Sequence, residues 1–425
     1  MSPPLNVFTG PSAIRDFYDP DKNPPLPLVE LPEHPFARDG VRIFAKLMTQ
    51  LPAANVKSLP ALNMLLRGQE RGALGAATER IVEYSSGNTV ISLGILGRVL
   101  GLAPVTAYVS NKTSDAKLKL LRFFVRAPSL FGGPAQVEPA DVNGGIHAAI
   151  EDGKRPGCFN PGQYHNDHNS EAHVRWTGPQ LQAQLPDMSV FAAAVGTSGT
   201  MTGTGTYLKS VSPRTTNLGV FTAPGDRVPG PRPIDLVQTI DLPWKEVIDD
   251  TEYVGSQMAY ARSMELSRAG LLVGPSSGLA YQGLLQFLQK QKDAGTLERL
   301  RDAAGEITCM RAFVCCDQPF TYLEDYFEKL PAAHFPPIHK PQLLEVDVAN
   351  PFRDADVLAR QWRTLDRRLA PGDADLGAVL FKGARRRVLV VSQDGNVASV
   401  GCSVLRAKGV EAFWLDGKAE ELLGF

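Results

Sequence analysis

Cysteine is scarce in this sequence: five residues in 425, Cys158, Cys309, Cys315, Cys316 and Cys402. Their number is odd and no pair has a Cys-x-x-Cys spacing, which argues against a zinc knuckle and leaves reduced thiols as the expectation. An excess of either charge is also missing. Lys plus Arg number 44 and Asp plus Glu 45, so the formal net charge is −1 and no footprint for nucleic acid or an anionic membrane is expected. No apolar run is long enough to span a bilayer. The opening stretch lacks a basic segment followed by an apolar one and is rich in Asp and poor in Arg. A secretory signal and a mitochondrial presequence are therefore not expected, and the location expected is cytoplasmic.

What is present is the pattern of an α/β protein of more than one domain. The first 35 residues carry nine prolines, which predicts an extended arm and no helix. Regular structure is expected from the strand Arg42–Leu47 onward. Helices follow at Ser58–Gly68, Val90–Gly101 and Ser114–Phe124, between strands at Ile81–Tyr84 and Pro104–Val109. The continuous apolar runs SVFAAAV (Ser189–Val195), NLGVFTA and RAFVCC read as buried strands, with Cys315 and Cys316 as strand residues. Helices are expected from about Tyr253 to Ala269 and from Ser277 to Gln289. Such alternation implies a parallel sheet covered on both faces. The segment 331–341 holds four prolines and no hydrophobic period, so it reads as a linker.

Four segments could carry chemistry, three of them loops at the carboxyl ends of predicted strands, where open α/β sheets bind ligands. Glu83-Tyr84-Ser85-Ser86-Gly87-Asn88-Thr89 offers hydroxyls and N–H groups at a helix start, suited to a carboxylate; alone it also fits an ordinary capped turn. Gly196-Thr197-Ser198-Gly199-Thr200 opens a Gly/Thr-rich stretch that can converge N–H groups on a phosphate. No Gly-Lys-Ser/Thr follows, so it is not a Walker loop, and no suitably placed acidic residue supports a dinucleotide fingerprint. Val273-Gly274-Pro275-Ser276-Ser277-Gly278 brings a small hydroxyl to a helix start. Ahead of all three stands Lys57, at a strand-to-helix junction that disfavours a cation and so favours a nucleophilic amine. His165, His168 and His173 fit no standard metal spacing and read as a polar loop leading into a helix and substrate contacts, with no metal site expected.

In this order the four segments resemble the fold-type II pyridoxal-phosphate enzymes, specifically the cysteine synthase and cystathionine β-synthase group, over approximately residues 25–325. The resemblance implies two three-layer αβα subdomains with pyridoxal 5′-phosphate between them. It implies that Lys57 forms the internal aldimine and moves protons at the substrate Cα. It implies that Ser85, Ser86, Gly87, Asn88 and Thr89 grip the amino-acid carboxylate, with Asn88 also reaching the ring hydroxyl, and that Gln163 contacts the same carboxylate. Gly196, Thr197, Ser198, Gly199 and Thr200 would hold the phosphate, and Ser276 would face the pyridine nitrogen. The implied reaction is β-replacement on an O-activated L-serine through an aminoacrylate, with sulfide or a small thiol as nucleophile, in a homodimer. A cystathionine β-synthase-like or serine/threonine deaminase-like lyase shares every motif. A cofactor-binding regulatory protein that docks a partner through its tail is the alternative of another class. Departures from the group's pattern are Leu26-Pro27-Leu28, Ser58-Leu59 after the lysine, and a more charged segment from Pro224 to Arg232.

The C-terminal part resembles a shortened rhodanese-like unit: strand VLVV, loop Ser392-Gln393-Asp394-Gly395-Asn396, a helix, and Trp414-Leu415-Asp416-Gly417. Ser392 stands where active members have cysteine, so a structural or docking role is expected. The expected organisation is an arm (1–35), a catalytic domain (36–330) with a smaller subdomain inserted at about 88–195, a linker (331–345) and the rhodanese-like unit (346–425).

Overall fold

The computed structural model describes residues 6–85, 87–133, 136, 138, 141–297, 309–341, 387–390, 402–403, 405–407 and 409–414. Ser86 and Ser392 lie outside the described residues, as does most of the expected linker-to-tail region. The chain divides into two compact units, 1–334 and 335–425.

The first unit holds two sheets. The larger has the order β1 (Leu28–Leu31), β2 (Val41–Leu47), β10 (Cys309–Cys315), β7 (Met188–Ala194), β8 (Thr216–Thr222) and β9 (Asp250–Val254). It is parallel except for β1, which runs antiparallel to β2. The smaller is parallel throughout, in the order β5 (Ala127–Phe131), β4 (Val105–Ser110), β3 (Arg80–Tyr84) and β6 (Cys158–Phe159). It takes β3, ahead of the start expected for the inserted subdomain, and leaves β7 to the large sheet.

Side chains alternate across the large sheet because successive residues of a strand point to opposite faces. Ile43, Ala45, Val190, Ala192, Leu218, Val220 and Phe313 join the cluster that contains Leu279, Ala280 and Leu284 of the helix Pro275–Asp293. Phe44, Phe191, Ala193, Phe221, Ala312 and Val314 join the cluster on the other face, together with Leu59, Leu62 and Leu65 of the helix Ser58–Glu70. Both faces are covered, which is why these strands read as unbroken apolar runs.

The N-terminal arm departs from its expected form. Ala13–Tyr18 is helical, and Leu28–Leu31 adds an edge strand. Both segments fall in proline-free gaps, so nothing in the backbone forbids hydrogen bonding there. Lys46 pins the arm: its buried amine donates to Leu26 O (2.8 Å), Gln180 Oε1 (2.9 Å) and Gln184 Oε1 (2.7 Å). The helix expected from Tyr253 begins at Ser256 instead. Tyr253 belongs to β9, and Asp226 Oδ2 accepts from Ser256 N (2.5 Å), an acceptor for the first turn supplied from a distant loop.

In the second unit, Arg387–Val390 and Glu411–Trp414 pair in parallel, Arg387 opposite Glu411 and Val390 opposite Trp414. Among the described residues, no helix is long and apolar enough to cross a membrane.

Candidate active site

The carboxyl ends of β2, β3, β7 and β10 open onto one cleft. Its lining includes Lys57, Ser85, Gly87, Asn88, Thr89, Gln163, Gly196, Thr197, Ser198, Gly199, Thr200 and Ser276, so every described candidate from the sequence reaches the same place.

Lys57 sits at the N-cap position of the helix Ser58–Glu70 and is placed by its own turn. Asn55 Oδ1 accepts from Lys57 N (2.9 Å) and from Ser92 Oγ (3.1 Å), while Val56 N donates to Cys316 O (2.7 Å). The residue keeps some surface toward the cleft. Its amine is nonetheless so enclosed by protein that desolvation holds the pKa below the usual lysine range; Cys316 pulls it up, Arg232 pushes it down and Glu83 pulls it up. Nζ donates to Thr197 Oγ1 at 3.2 Å, across 140 residues of sequence. A desolvated amine in a cleft is a nucleophile for a carbonyl carbon.

The loop Gly196–Thr200 ends in the helix Gly199–Val211, whose N-cap Ser198 has φ 65° and makes no side-chain cap. A serine in that region costs on the order of 1–3 kcal/mol, and the conformation leaves the first N–H groups of the helix without intrahelical partners, a site for an anion. Glycine is required at Gly199, where a Cβ would lie 2.2 Å from Asn169 Oδ1. Asn169 supports the loop from behind, donating to Thr197 Oγ1 (3.0 Å) and Gln163 O (2.7 Å).

On the opposite wall, Gln163 lines the cleft and also bonds within the protein. Its Nε2 donates to Tyr84 O (2.9 Å) and its Oε1 accepts from Thr89 Oγ1 (2.7 Å), which orients Thr89. Asn88, expected at a ring hydroxyl, donates through Nδ2 to Asp317 Oδ2 (2.7 Å).

Glu83 fixes this wall. Its carboxyl accepts from Tyr84 N (3.0 Å), Gly162 N (2.9 Å) and Gln163 N (3.2 Å), while burial pushes its pKa up to about 7 against the pull of those N–H groups. The folded chain therefore keeps a proton that an unfolded glutamate has released, so this group makes the fold less stable as pH rises from 4.5 to about 7. Glu83→Gln is expected to flatten that slope in melting temperature, and to lower stability by about 1–3 kcal/mol because an amide N–H₂ then faces main-chain N–H groups. A melting series between pH 5 and 7 checks both.

Several lining residues carry no local signature. Cys316 lies one residue past β10 and faces the cleft, which corrects its reading as a buried strand residue. Burial pushes its thiol up to about 12. Asp317 accepts from Asn88 and from Tyr322 OH (2.5 Å), and its buried Oδ1 has no partner among the described residues. Burial raises its pKa. Arg232, from the charged segment, is buried; it donates to Tyr164 OH (3.1 Å) and its guanidinium carbon lies 4.8 Å from that ring's centre. Lys117 and Arg227 complete a cationic side of the cleft.

The histidines lie elsewhere. His165 and His168 line a separate surface recess, with His168 Nδ1 2.6 Å from Glu171 Oε2. His173 is buried behind the loop, its ring between Thr177 Oγ1 (2.8 Å) and Thr200 Oγ1 (3.2 Å), and burial lowers its pKa to about 3. Among the described residues, no group of three His, Cys, Asp or Glu side chains could hold a metal ion.

An enclosed amine, an uncapped helix start and a small hydroxyl on one cleft fit a molecule with a carbonyl, a phosphate and a ring nitrogen. Asp317, on the same lining, has a buried Oδ1 without a partner among the described residues, a polar atom that a ligand or its water can satisfy. The family model described as "Pyridoxal-phosphate dependent enzyme" matches residues 21–299. Cysteine synthase B of Campylobacter jejuni is 28% identical over 280 residues, 62% of this chain and 89% of the relative. A cysteine synthase of Aquifex aeolicus is 30% identical over 277 residues, 63% and 82% of the two chains. The solved structure of O-acetyl serine sulfhydrylase isoform 3 from Entamoeba histolytica matches with a TM-score of 0.60 at 24% identity, covering 81% of this chain and 97% of that one, a likeness of fold. The chain belongs to the pyridoxal-phosphate dependent enzymes.

Proposed function

We propose that the chain catalyses β-replacement on an O-activated L-serine, with sulfide or a small thiol as the incoming nucleophile. The observation that carries the reading is the meeting of the desolvated Lys57 amine, the uncapped start of the helix Gly199–Val211 and the hydroxyl-rich Ser85–Thr89 loop on one cleft. The similar proteins named above, two cysteine synthases and an O-acetyl serine sulfhydrylase, support it. Pyridoxal phosphate, when bound, withdraws electrons from the amino acid's Cα and so eases loss of the Cα proton and of a leaving group on Cβ.

Lys57 is assigned to hold the cofactor and to move the proton at Cα. Gly196, Thr197, Ser198, Gly199 and Thr200 hold its phosphate. Ser85, Ser86, Gly87, Asn88 and Thr89 bind the substrate carboxylate, with Gln163 orienting Thr89. Ser276 is assigned to the ring nitrogen; a neutral hydroxyl does not keep that nitrogen protonated as a carboxylate would, which favours elimination from Cβ. Cysteine and acetate released from O-acetyl-L-serine and sulfide, quantified by mass spectrometry, are the expected products of the holoenzyme. Pyruvate and ammonia formed without consumption of sulfide would place the chain with the deaminases instead.

The tail is proposed to be a rhodanese-like unit that does not transfer sulfur. Ser392 has no thiol to carry sulfane sulfur, and the side chain of Cys402 is buried. Thiosulfate and cyanide are expected to give no thiocyanate above background; thiocyanate formation that is lost in Cys402→Ser would overturn this.

A further inference from the structure

We infer that Glu171 is a positioning residue for Lys57: it locks the helix that carries Lys57 to the segment that supports Thr197, so the amine meets the cofactor at a fixed place. The inference rests on the assignment of Lys57 made above and deepens it.

Lys57 is joined to Thr197 by two routes. The short one is the amine itself, whose Nζ donates to Thr197 Oγ1 at 3.2 Å. The long one runs through the helix Ser58–Glu70, whose N-cap residue is Lys57. From that helix Asn63 and Arg67 reach Glu171 of the helix His168–Ala172. Asn63 Nδ2 donates to Glu171 Oε2 (3.0 Å) and to His168 O (2.9 Å). Arg67 donates to both carboxylate oxygens, through Nε to Oε2 (3.2 Å) and through Nη2 to Oε1. Burial opposes the charge on Glu171, yet the donors Arg67, Asn63 and His168 hold its pKa down to about 2. The carboxylate is therefore an acceptor only, and the His168 Nδ1 at 2.6 Å carries the hydrogen. One residue further, Asn169 Nδ2 donates to Thr197 Oγ1 at 3.0 Å, which closes the circuit on the hydroxyl that the amine touches.

Glu171 is the joint where the two halves of this circuit meet. Neither it nor Asn63 nor Arg67 lines the cleft, so its effect on Lys57 passes through the helix. A forked guanidinium on a carboxylate fixes orientation as well as distance, which one amide contact does not. With the charge removed, the contact from Asn63 to His168 O is left to hold the register of the two helices, and a slip of the helix Ser58–Glu70 carries Lys57 with it. The phosphate loop keeps supports of its own, since Asn169 also donates to Gln163 O (2.7 Å) and the N–H groups belong to the helix Gly199–Val211. Linkage of the cofactor needs the amine within about 3–3.5 Å of the aldehyde carbon and aligned with it. The nitrogen's electron pair forms the bond to that carbon, and the aldehyde oxygen leaves as water with the two amine hydrogens. Misplacement of the amine therefore slows linkage and leaves phosphate binding in place.

The full-length apoprotein is titrated with pyridoxal phosphate and with pyridoxine 5′-phosphate, which has the ring and the phosphate but an alcohol in place of the aldehyde and cannot link to an amine. The ratio of the two affinities reports the linkage alone. In Glu171→Gln that ratio is expected to fall at least about tenfold, and the visible band of the linked cofactor to form at least about tenfold more slowly after mixing, with pyridoxine 5′-phosphate bound within about twofold of wild type. Arg67→Gln removes the fork from the other side and is expected to lower the ratio by about threefold. If Glu171→Gln does not fold, Arg67→Gln decides. An unchanged ratio in a folded variant, or an equal loss for both ligands, would overturn the inference even where the melting temperature falls, because a merely structural role gives those results. A visible band that persists in Lys57→Ala would overturn the assignment of Lys57 instead.

Discussion

Lys57→Ala is expected to remove the visible absorbance of a lysine-linked cofactor and to lower turnover by at least about a thousandfold, the combined scale of a lost covalent anchor and a lost proton carrier. The fold should survive. Among the described residues the side chain makes one hydrogen bond, to Thr197, and the main-chain contacts that shape its turn, to Asn55 Oδ1 and from Ala61 N, do not involve the amine. Removing a desolvated amine also relieves a cost, so melting temperature is expected to hold or rise. Absorbance, turnover and melting temperature on one preparation test the assignment. Retained absorbance would place the cofactor on another lysine, and Lys117, on the same cleft with its pKa also lowered by burial, is the one to examine next.

Gly196→Ala is expected to cut cofactor affinity by about tenfold or more while lowering stability by about 1–3 kcal/mol, the usual scale of overpacking. The added Cβ would lie 2.4 Å from Gly230 O and 3.2 Å from Gly230 C, and neither atom is the end of a flexible side chain. Either the phosphate loop or the Pro229–Arg232 segment must then move. Motion of the loop displaces the N–H groups of Gly199–Val211, and motion of the segment displaces Arg232. Fluorescence titration of the apoprotein with pyridoxal phosphate reads the loss of affinity. Unchanged affinity in a folded Gly196→Ala protein would show that the contact is not tight in solution.

The candidates found in the sequence share one property: each is local. Glycines, hydroxyls and a helix start within a few residues announce an anion site, because the backbone N–H groups of one turn suffice to make it. Runs such as SVFAAAV announced buried parallel strands for the same reason. The residues that were missed depend on partners far along the chain. Asn88 meets Asp317 across 229 residues, and Arg232 meets Tyr164 across 68. Cys316 read as one more residue of an apolar run, since the period of that run does not mark where the strand stops. The histidines misled in the other direction: they read as part of a polar loop leading to substrate contacts, and His165 and His168 line a separate recess.

The sequence by itself determined the α/β class, the order of the chemical segments and the lysine on which the cofactor reading turns, since these follow from backbone preferences and side-chain types over short spans. Only the tertiary structure decided which residues face the cleft together, that Gln163 orients Thr89, that Asp317 is tied to Asn88 and Tyr322, and that the charged segment delivers Arg232 to the cleft that Lys57 lines. The physical reason is the parallel sheet. Its crossovers place the ends of β2, β7 and β10 side by side although they lie far apart in the chain, and desolvation of the groups gathered there sets their proton affinities in a way no local pattern encodes.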